Sequence, residues 1–145
     1  MDRQIMHVDV NNAFLSWTAI EMLKAGEKLD IRTIPAAICG DETKRCGIIL
    51  AKSKLAKEMG VVTGETIYNA IKKCPKLKTY RTNFGAYKEH SDKLYKLLLE
   101  YTNEVERYSI DECFLDLTNF LMGDTLINKA IEINKRAREE LRIYS

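Results

Sequence analysis

The sequence predicts a mixed α+β fold made of two interleaved parts, and three observations carry that expectation. Short apolar runs such as Ile5–Val10 and Ile34–Cys39 alternate with segments whose apolar residues recur every three or four positions, so strands alternate with helices. A long stretch with turn signals of its own separates the first strand from the last two, which reads as an insertion. Finally, 145 residues at 46% hydrophobic and 30% charged suit one ordinary core with a lobe inserted into it.

Residues 4–10 form the first, buried strand, with His7 and Asp9 on one face and Val8 and Val10 on the other. A helix follows over about 12–24, with Ala13, Phe14, Trp17, Ile20 and Leu23 inward, Asn11 or Asn12 as its cap and Gly26 at its end. Residues 34–39 and 47–51 are strands joined by the polar turn 40–45, hence a hairpin. Ser53 caps a short helix closed by Gly60, and a further helix over 66–73 stops at Cys74-Pro75.

Residues 77–81 return as a strand. The helix over 84–103 turns Tyr87, Ser91, Leu94, Leu98 and Tyr101 inward. Residues 105–109 and 113–117 pair as a hairpin with Asp111-Glu112 near its tip. The last helix, 125–142, buries Leu126, Ala130, Ile133, Ala137 and Leu141. Strand–helix–strand–strand–helix is most of a ferredoxin-like split βαβ layout once residues 13–78 are set aside as the insertion. Its last strand is expected where the chain ends at Ser145, so a C-terminally truncated piece is expected.

Composition narrows the function classes. No apolar run approaches the ~20 residues of a membrane span, and residues 1–4 run straight into a strand without a secretory signal. Cys39, Cys46, Cys74 and Cys113 form no Cys-x-x-Cys pair, which suits reduced thiols in a cytoplasmic protein. Net charge is +2, yet residues 43–96 carry +9 and the remainder −7. A basic middle beside acidic ends suits a polyanionic partner held next to a metal-binding acid cluster, or else a Lys-rich solvated surface.

The candidate site is that acid cluster. Asp9 ends an apolar strand, and Asp111 and Glu112 sit together between strand-like residues. Like charges gathered in this way are costly unless a cation joins them. Magnesium takes carboxylate and phosphate oxygens and keeps waters, so few protein ligands suffice. The residues alone leave the alternative open that Asp9 is a strand-end cap and Asp111-Glu112 a polar turn.

His7-Val8-Asp9-Val10-Asn11-Asn12-Ala13-Phe14 and Tyr108-Ser109-Ile110-Asp111-Glu112-Cys113-Phe114-Leu115-Asp116 resemble the two metal-binding motifs of the Y-family, or translesion, DNA polymerases of the UmuC/DinB kind. The motifs occur in the expected order with a basic insert between them. The resemblance implies an incomplete palm over 1–12 and 79–145 and small fingers over 13–78. It implies Asp9, Asp111 and Glu112 as catalytic metal ligands, with the Val10 main-chain carbonyl as a further oxygen. It implies two Mg2+ ions as the metal, with Mn2+ as a substitute.

Nucleotide contacts are implied at Asn12, Ala13, Lys54 and Lys57, with Phe14 as the steric gate beneath the sugar. The family commonly has a tyrosine and an arginine where this chain has Lys54 and Lys57, so the bidentate fork of arginine is missing. The implied activity is DNA-directed DNA synthesis in DNA repair and the SOS response, in the cytoplasm at the nucleoid. The implied partners are primer-template DNA, dNTP and a sliding clamp bound through a missing C-terminal region. A homodimer through an unpaired sheet edge is a further expectation. The alternatives are a non-catalytic fragment that binds DNA or a repair partner, and a nucleotidyl cyclase.

Overall fold

The computed structural model describes residues 2–40 and 47–145. In chain order the elements are β1 (Ile5–Asp9), α1 (Ala13–Lys24), β2 (Ala36–Cys39), β3 (Ile49–Lys52), α2 (Lys54–Glu58), α3 (Ile67–Lys73), β4 (Lys78–Arg81), α4 (Phe84–Leu98), β5 (Val105–Ser109), β6 (Glu112–Asp116) and α5 (Leu126–Glu140). They divide into two compact units, Met1–Asn11 with Tyr87–Ser145, and Asn12–Ala86.

The first unit holds a three-stranded sheet in the order β1-β6-β5, both pairs antiparallel. Its side chains alternate as a sheet covered on one face requires. In β1, Met6 and Val8 are buried while Ile5, His7 and Asp9 are exposed. In β6, Cys113 and Leu115 are buried between half-buried Glu112, Phe114 and Asp116. Tyr87, Leu94, Leu97 and Leu98 of α4 and Ile133 and Ala137 of α5 supply further buried groups. Arg107 ties β5 to α4, donating from Nη2 to Ser91 Oγ at 2.8 Å and pairing from Nη1 with Asp92 Oδ1 at 2.9 Å.

The expected helix over 84–103 ends at Leu98. Buried Thr102 is the reason: its hydroxyl donates to the Asp116 carbonyl at 2.8 Å and accepts from the Glu104 amide at 3.0 Å, drawing the chain toward the sheet. Tyr101, expected inward, is half-buried with its hydroxyl donating to Glu132 at 3.0 Å. On α5 only Ile133 and Ala137 of the expected face are fully buried.

The second unit is organised on β2, which lies between antiparallel β3 and parallel β4. All four β2 residues are buried. Ala36 and Ile38 pack with Leu15, Ala19 and Ile31, whereas Ala37 and Cys39 pack with Ile49, Ala56, Val61 and Ala70. Both faces are therefore covered, and the strand reads as an unbroken apolar run. β4 belongs to this unit through its ladder with β2.

Helix ends follow local chemistry. Ser53 Oγ accepts from the Ala56 amide, capping α2 as expected, and Thr66 Oγ1 accepts from the Asn69 amide, capping α3. Past α1 the Glu27 amide donates to the Met22 carbonyl and Gly26 adopts φ 99, a left-handed close that glycine permits. At the start of α1, Asn12 occupies the cap position at φ 49 without a side-chain cap bond. Its Nδ2 donates instead to the Lys52 carbonyl at 2.6 Å, tying α1 to β3. The expected turn 40–45, with Lys44 and Arg45, lies almost wholly outside the described residues, as does Cys46. Cys39, Cys74 and Cys113 are buried.

Candidate metal centre

Asp9 ends β1 and Glu112 begins β6, and the two are register partners in the antiparallel ladder. Residues directly opposite in such a ladder project from the same face. One step beyond, the Val10 amide donates to the Asp111 carbonyl at 3.0 Å, which fixes the turn carrying Asp111 against the end of β1. Val10 itself is buried. The β5–β6 register shifts between Arg107 and Ser109, so the ladder is irregular at the hairpin end. Irregularities of this kind re-aim side chains.

Ser109 uses that freedom. Its hydroxyl donates to Glu112 Oε2 at 2.7 Å and lies 3.0 Å from Asp111 Oδ1. A hydroxyl has one proton, so it serves one carboxylate at a time. His7 Nε2 lies 3.2 Å from Glu112 Oε1. Partial burial, then the charges of Asp111 and Glu112, push the Asp9 carboxyl above the ordinary carboxylate range, while His7 opposes them. Asp9 therefore feels the charge of both other acids.

Among the described residues, no group of three or more His, Cys, Asp or Glu side chains is placed so that it could hold a metal ion. The donor chemistry nonetheless fits a hard cation: the acids are all-oxygen donors, and the like-charge repulsion on Asp9 is of the sign that a bound cation relieves. Glu112 keeps lone pairs on both oxygens beyond its two hydrogen bonds.

The remaining named residues lie in the other unit. Ala13 is buried, and Phe14 is half-buried with its ring edge-on to Phe84 at 5.8 Å. Lys54 and Lys57 are exposed on one face of α2, three residues apart. Buried Ser53 fixes that helix from its N-terminus. Lys52 Nζ donates to Thr63 at 3.0 Å.

Sequence reasoning missed Ser109 and Phe84 as neighbours of these groups. The polar residue two before Asp111 and the aromatic opening α4 were the available signals. It also missed a hollow of about 610 Å³ in the first unit, lined by Arg3, Ile5, Glu104, Glu106, Phe114 and Asp116 among others. None of the expected site residues lines it.

The model of the impB/mucB/samB family matches residues 8–145. The chain is 50% identical over 141 residues to the DNA polymerase IV of Clostridium acetobutylicum, covering 97% of this chain and 36% of that protein. It is 40% identical over 144 residues to the DNA polymerase IV of Acetivibrio thermocellus, covering 97% and 34%. The chain thus spans about a third of the length of these relatives. A Y-family DNA polymerase chimera of Dbh and Dpo4 superposes with a TM-score of 0.81 at 26% identity, covering 97% of this chain and 40% of that one. DinB from Sulfolobus solfataricus has the same fold at a TM-score of 0.81 and 22% identity, with the same coverages. The family match runs across nearly the whole length, and the chain belongs to the impB/mucB/samB family.

Proposed function

We propose that this chain is the palm and fingers part of a translesion DNA polymerase, which transfers a deoxynucleotide from dNTP to a primer 3′ end in DNA repair. The observation that carries the reading is the Asp9–Glu112 register pair, with Asp111 tied to it through the Val10 amide. Asp9, Asp111, Glu112 and the Val10 carbonyl are the groups that hold Mg2+, or Mn2+ in its place. Bound there, the metal supplies Lewis-acid activation and charge neutralisation for an in-line displacement. The Ser109 hydroxyl orients the Glu112 carboxylate beside Asp111 before any substrate arrives. Lys54 and Lys57 serve triphosphate oxygens as point charges, Phe14 excludes a 2′ hydroxyl, and Asn12 and Ala13 contribute to the nucleotide contact.

The palm is residues 1–12 and 79–145 and the fingers 13–78 in this reading. Primer-template DNA is the macromolecular partner, in the cytoplasm at the nucleoid during an SOS-type response. No helix among the described residues is long and apolar enough to cross a membrane. A sliding clamp and a homodimer through the outer side of β1 belong to the same reading. They rest on the resemblance and on the pairing capacity of an edge strand.

A second reading, a non-catalytic fragment that binds DNA or a repair partner, is favoured by Lys54 where the family commonly has an aromatic. Primer extension with Mg2+ separates the two. The chain extended to the length of its relatives is expected to extend a primer, and Asp111→Asn to abolish extension. DNA binding without extension by the long form would establish the second reading and overturn the first. A cyclic product from GTP or ATP would establish a nucleotidyl cyclase instead.

A further inference from the structure

We infer that His7 is a positioning residue that fixes the Glu112 carboxylate for the cation, with the Phe114 ring as the platform that fixes His7. The inference rests on the reading of Glu112 as a metal ligand. His7 and Phe114 are register partners in the β1–β6 ladder. Their rings stack at 4.6 Å and 17°. Tyr108 stands edge-on to Phe114 at 5.7 Å and 86°, bracing the platform from β5. An imidazole held this way has its plane set by packing, and its Nε2 meets Glu112 Oε1 at 3.2 Å. Glu112 is opposite Asp9, so it is the diagonal neighbour of His7, a distance that a ring side chain spans.

Ser109 holds the other oxygen, Oε2, at 2.7 Å. One carboxylate is therefore gripped at both oxygens by groups on two different strands. Glutamate is a long side chain with several rotatable bonds, and gripping both oxygens selects one direction for the remaining lone pairs. The His7 side chain is 44% exposed, so packing the core is not its task. In metal sites, partners of this outer kind typically alter affinity by about 10–100-fold.

The test is Mn2+ affinity at fixed pH, read as free Mn2+ by electron paramagnetic resonance, together with melting in EDTA. His7→Gln keeps a donor near the Nε2 position and is expected within about threefold of the parent chain. His7→Phe keeps the stack but removes the donor, and His7→Met removes it without adding a ring. Both are expected to weaken Mn2+ by about tenfold or more, with melting in EDTA little changed. Phe114→Leu, which keeps the donor but loosens its platform, is expected to fall between them. An affinity within threefold of the parent in both His7→Phe and His7→Met overturns the inference. Asp111→Asn is the control: undiminished Mn2+ binding there overturns the metal reading itself.

Discussion

Asp9 and Glu112 face each other across the β1–β6 ladder, on the side of the sheet that also exposes His7. Burial, then repulsion from Asp111 and Glu112, raises the Asp9 carboxyl above the ordinary carboxylate range. Asp9→Asn removes that repulsion. In EDTA the variant is expected to melt at or slightly above the parent temperature, a gain below about 1 kcal/mol because exposed charges are screened. In Mn2+ the parent is expected to gain stability by ligand linkage and the variant to gain none. Differential scanning calorimetry with and without the ion checks both.

Ser53 is a buried hydroxyl with two clients. Its Oγ accepts from the Ala36 amide at 2.9 Å and the Ala56 amide at 3.2 Å, joining β2 to the start of α2. Ser53→Ala leaves two buried donors without that acceptor and is expected to cost about 2–4 kcal/mol. Urea denaturation would show it. The same variant is expected to weaken triphosphate binding if Lys54 and Lys57 depend on α2 for their direction.

Asp116 gives the sign of one pH dependence. The Thr118 hydroxyl and then its amide, with Arg3 adding less, hold this carboxyl below the ordinary carboxylate range. A depressed acid contributes stability above its unfolded pKa and loses that contribution as pH falls through the folded value. Asp116→Asn is therefore expected to lower stability at neutral pH and flatten the acid limb below about pH 4. Chemical denaturation between pH 2 and 7 is the measurement, and a parent-like acid limb in the variant would contradict the assignment.

Arg136 joins α5 to the chain beyond α4. Its Nη2 donates to Glu100 at 2.9 Å, its Nε to Glu140 at 2.6 Å, and its guanidinium lies 5.6 Å from the centre of the Tyr101 ring. Lysine reproduces the charge but not the fork. Arg136→Lys is expected to cost about 0.5–1 kcal/mol, and Arg136→Ala about 1–2 kcal/mol because ring contact is also lost. The loss in the lysine variant is expected to shrink in high salt, as read in thermal melts.

Phe14 is half-buried and meets Phe84 edge-on. If its ring lies beneath the sugar of a bound nucleotide, Phe14→Val is expected to relax discrimination against ribonucleotides by at least about tenfold, by analogy with the loss of a few methylene-sized contacts. Competing dNTP and rNTP in single-turnover incorporation by the extended chain measures this. Equal discrimination in the variant would remove Phe14 from the specificity argument.

Much of this molecule is legible in its residues, for identifiable reasons. β2 was evident because a strand buried on both faces has no polar residue to blur it. Ser53 and Gly60 marked helix ends because caps are local chemistry. Asn12 misled because its side chain found a distant acceptor, the Lys52 carbonyl, which local pattern does not reveal. The end of α4 was overrun for the same reason: Thr102 answers to Asp116, fourteen positions away. At the candidate site the three acids could be read from sequence, but their mutual geometry could not. It depends on the β1–β6 register and on the irregularity beside Ser109, both products of long-range pairing.

That pairing sets an order of events during synthesis. β1 leaves the ribosome before the insert, yet its partner strand is β6, with Ile5 waiting for Asp116. β2, β3 and β4 all emerge in the interval and find one another within Asn12–Ala86. A nascent chain halted between them would hold a finished insert behind a lone strand with unsatisfied amides, a ready target for chaperones or for another nascent copy. Whatever slows translation before residue 112 therefore threatens the first strand more than the insert.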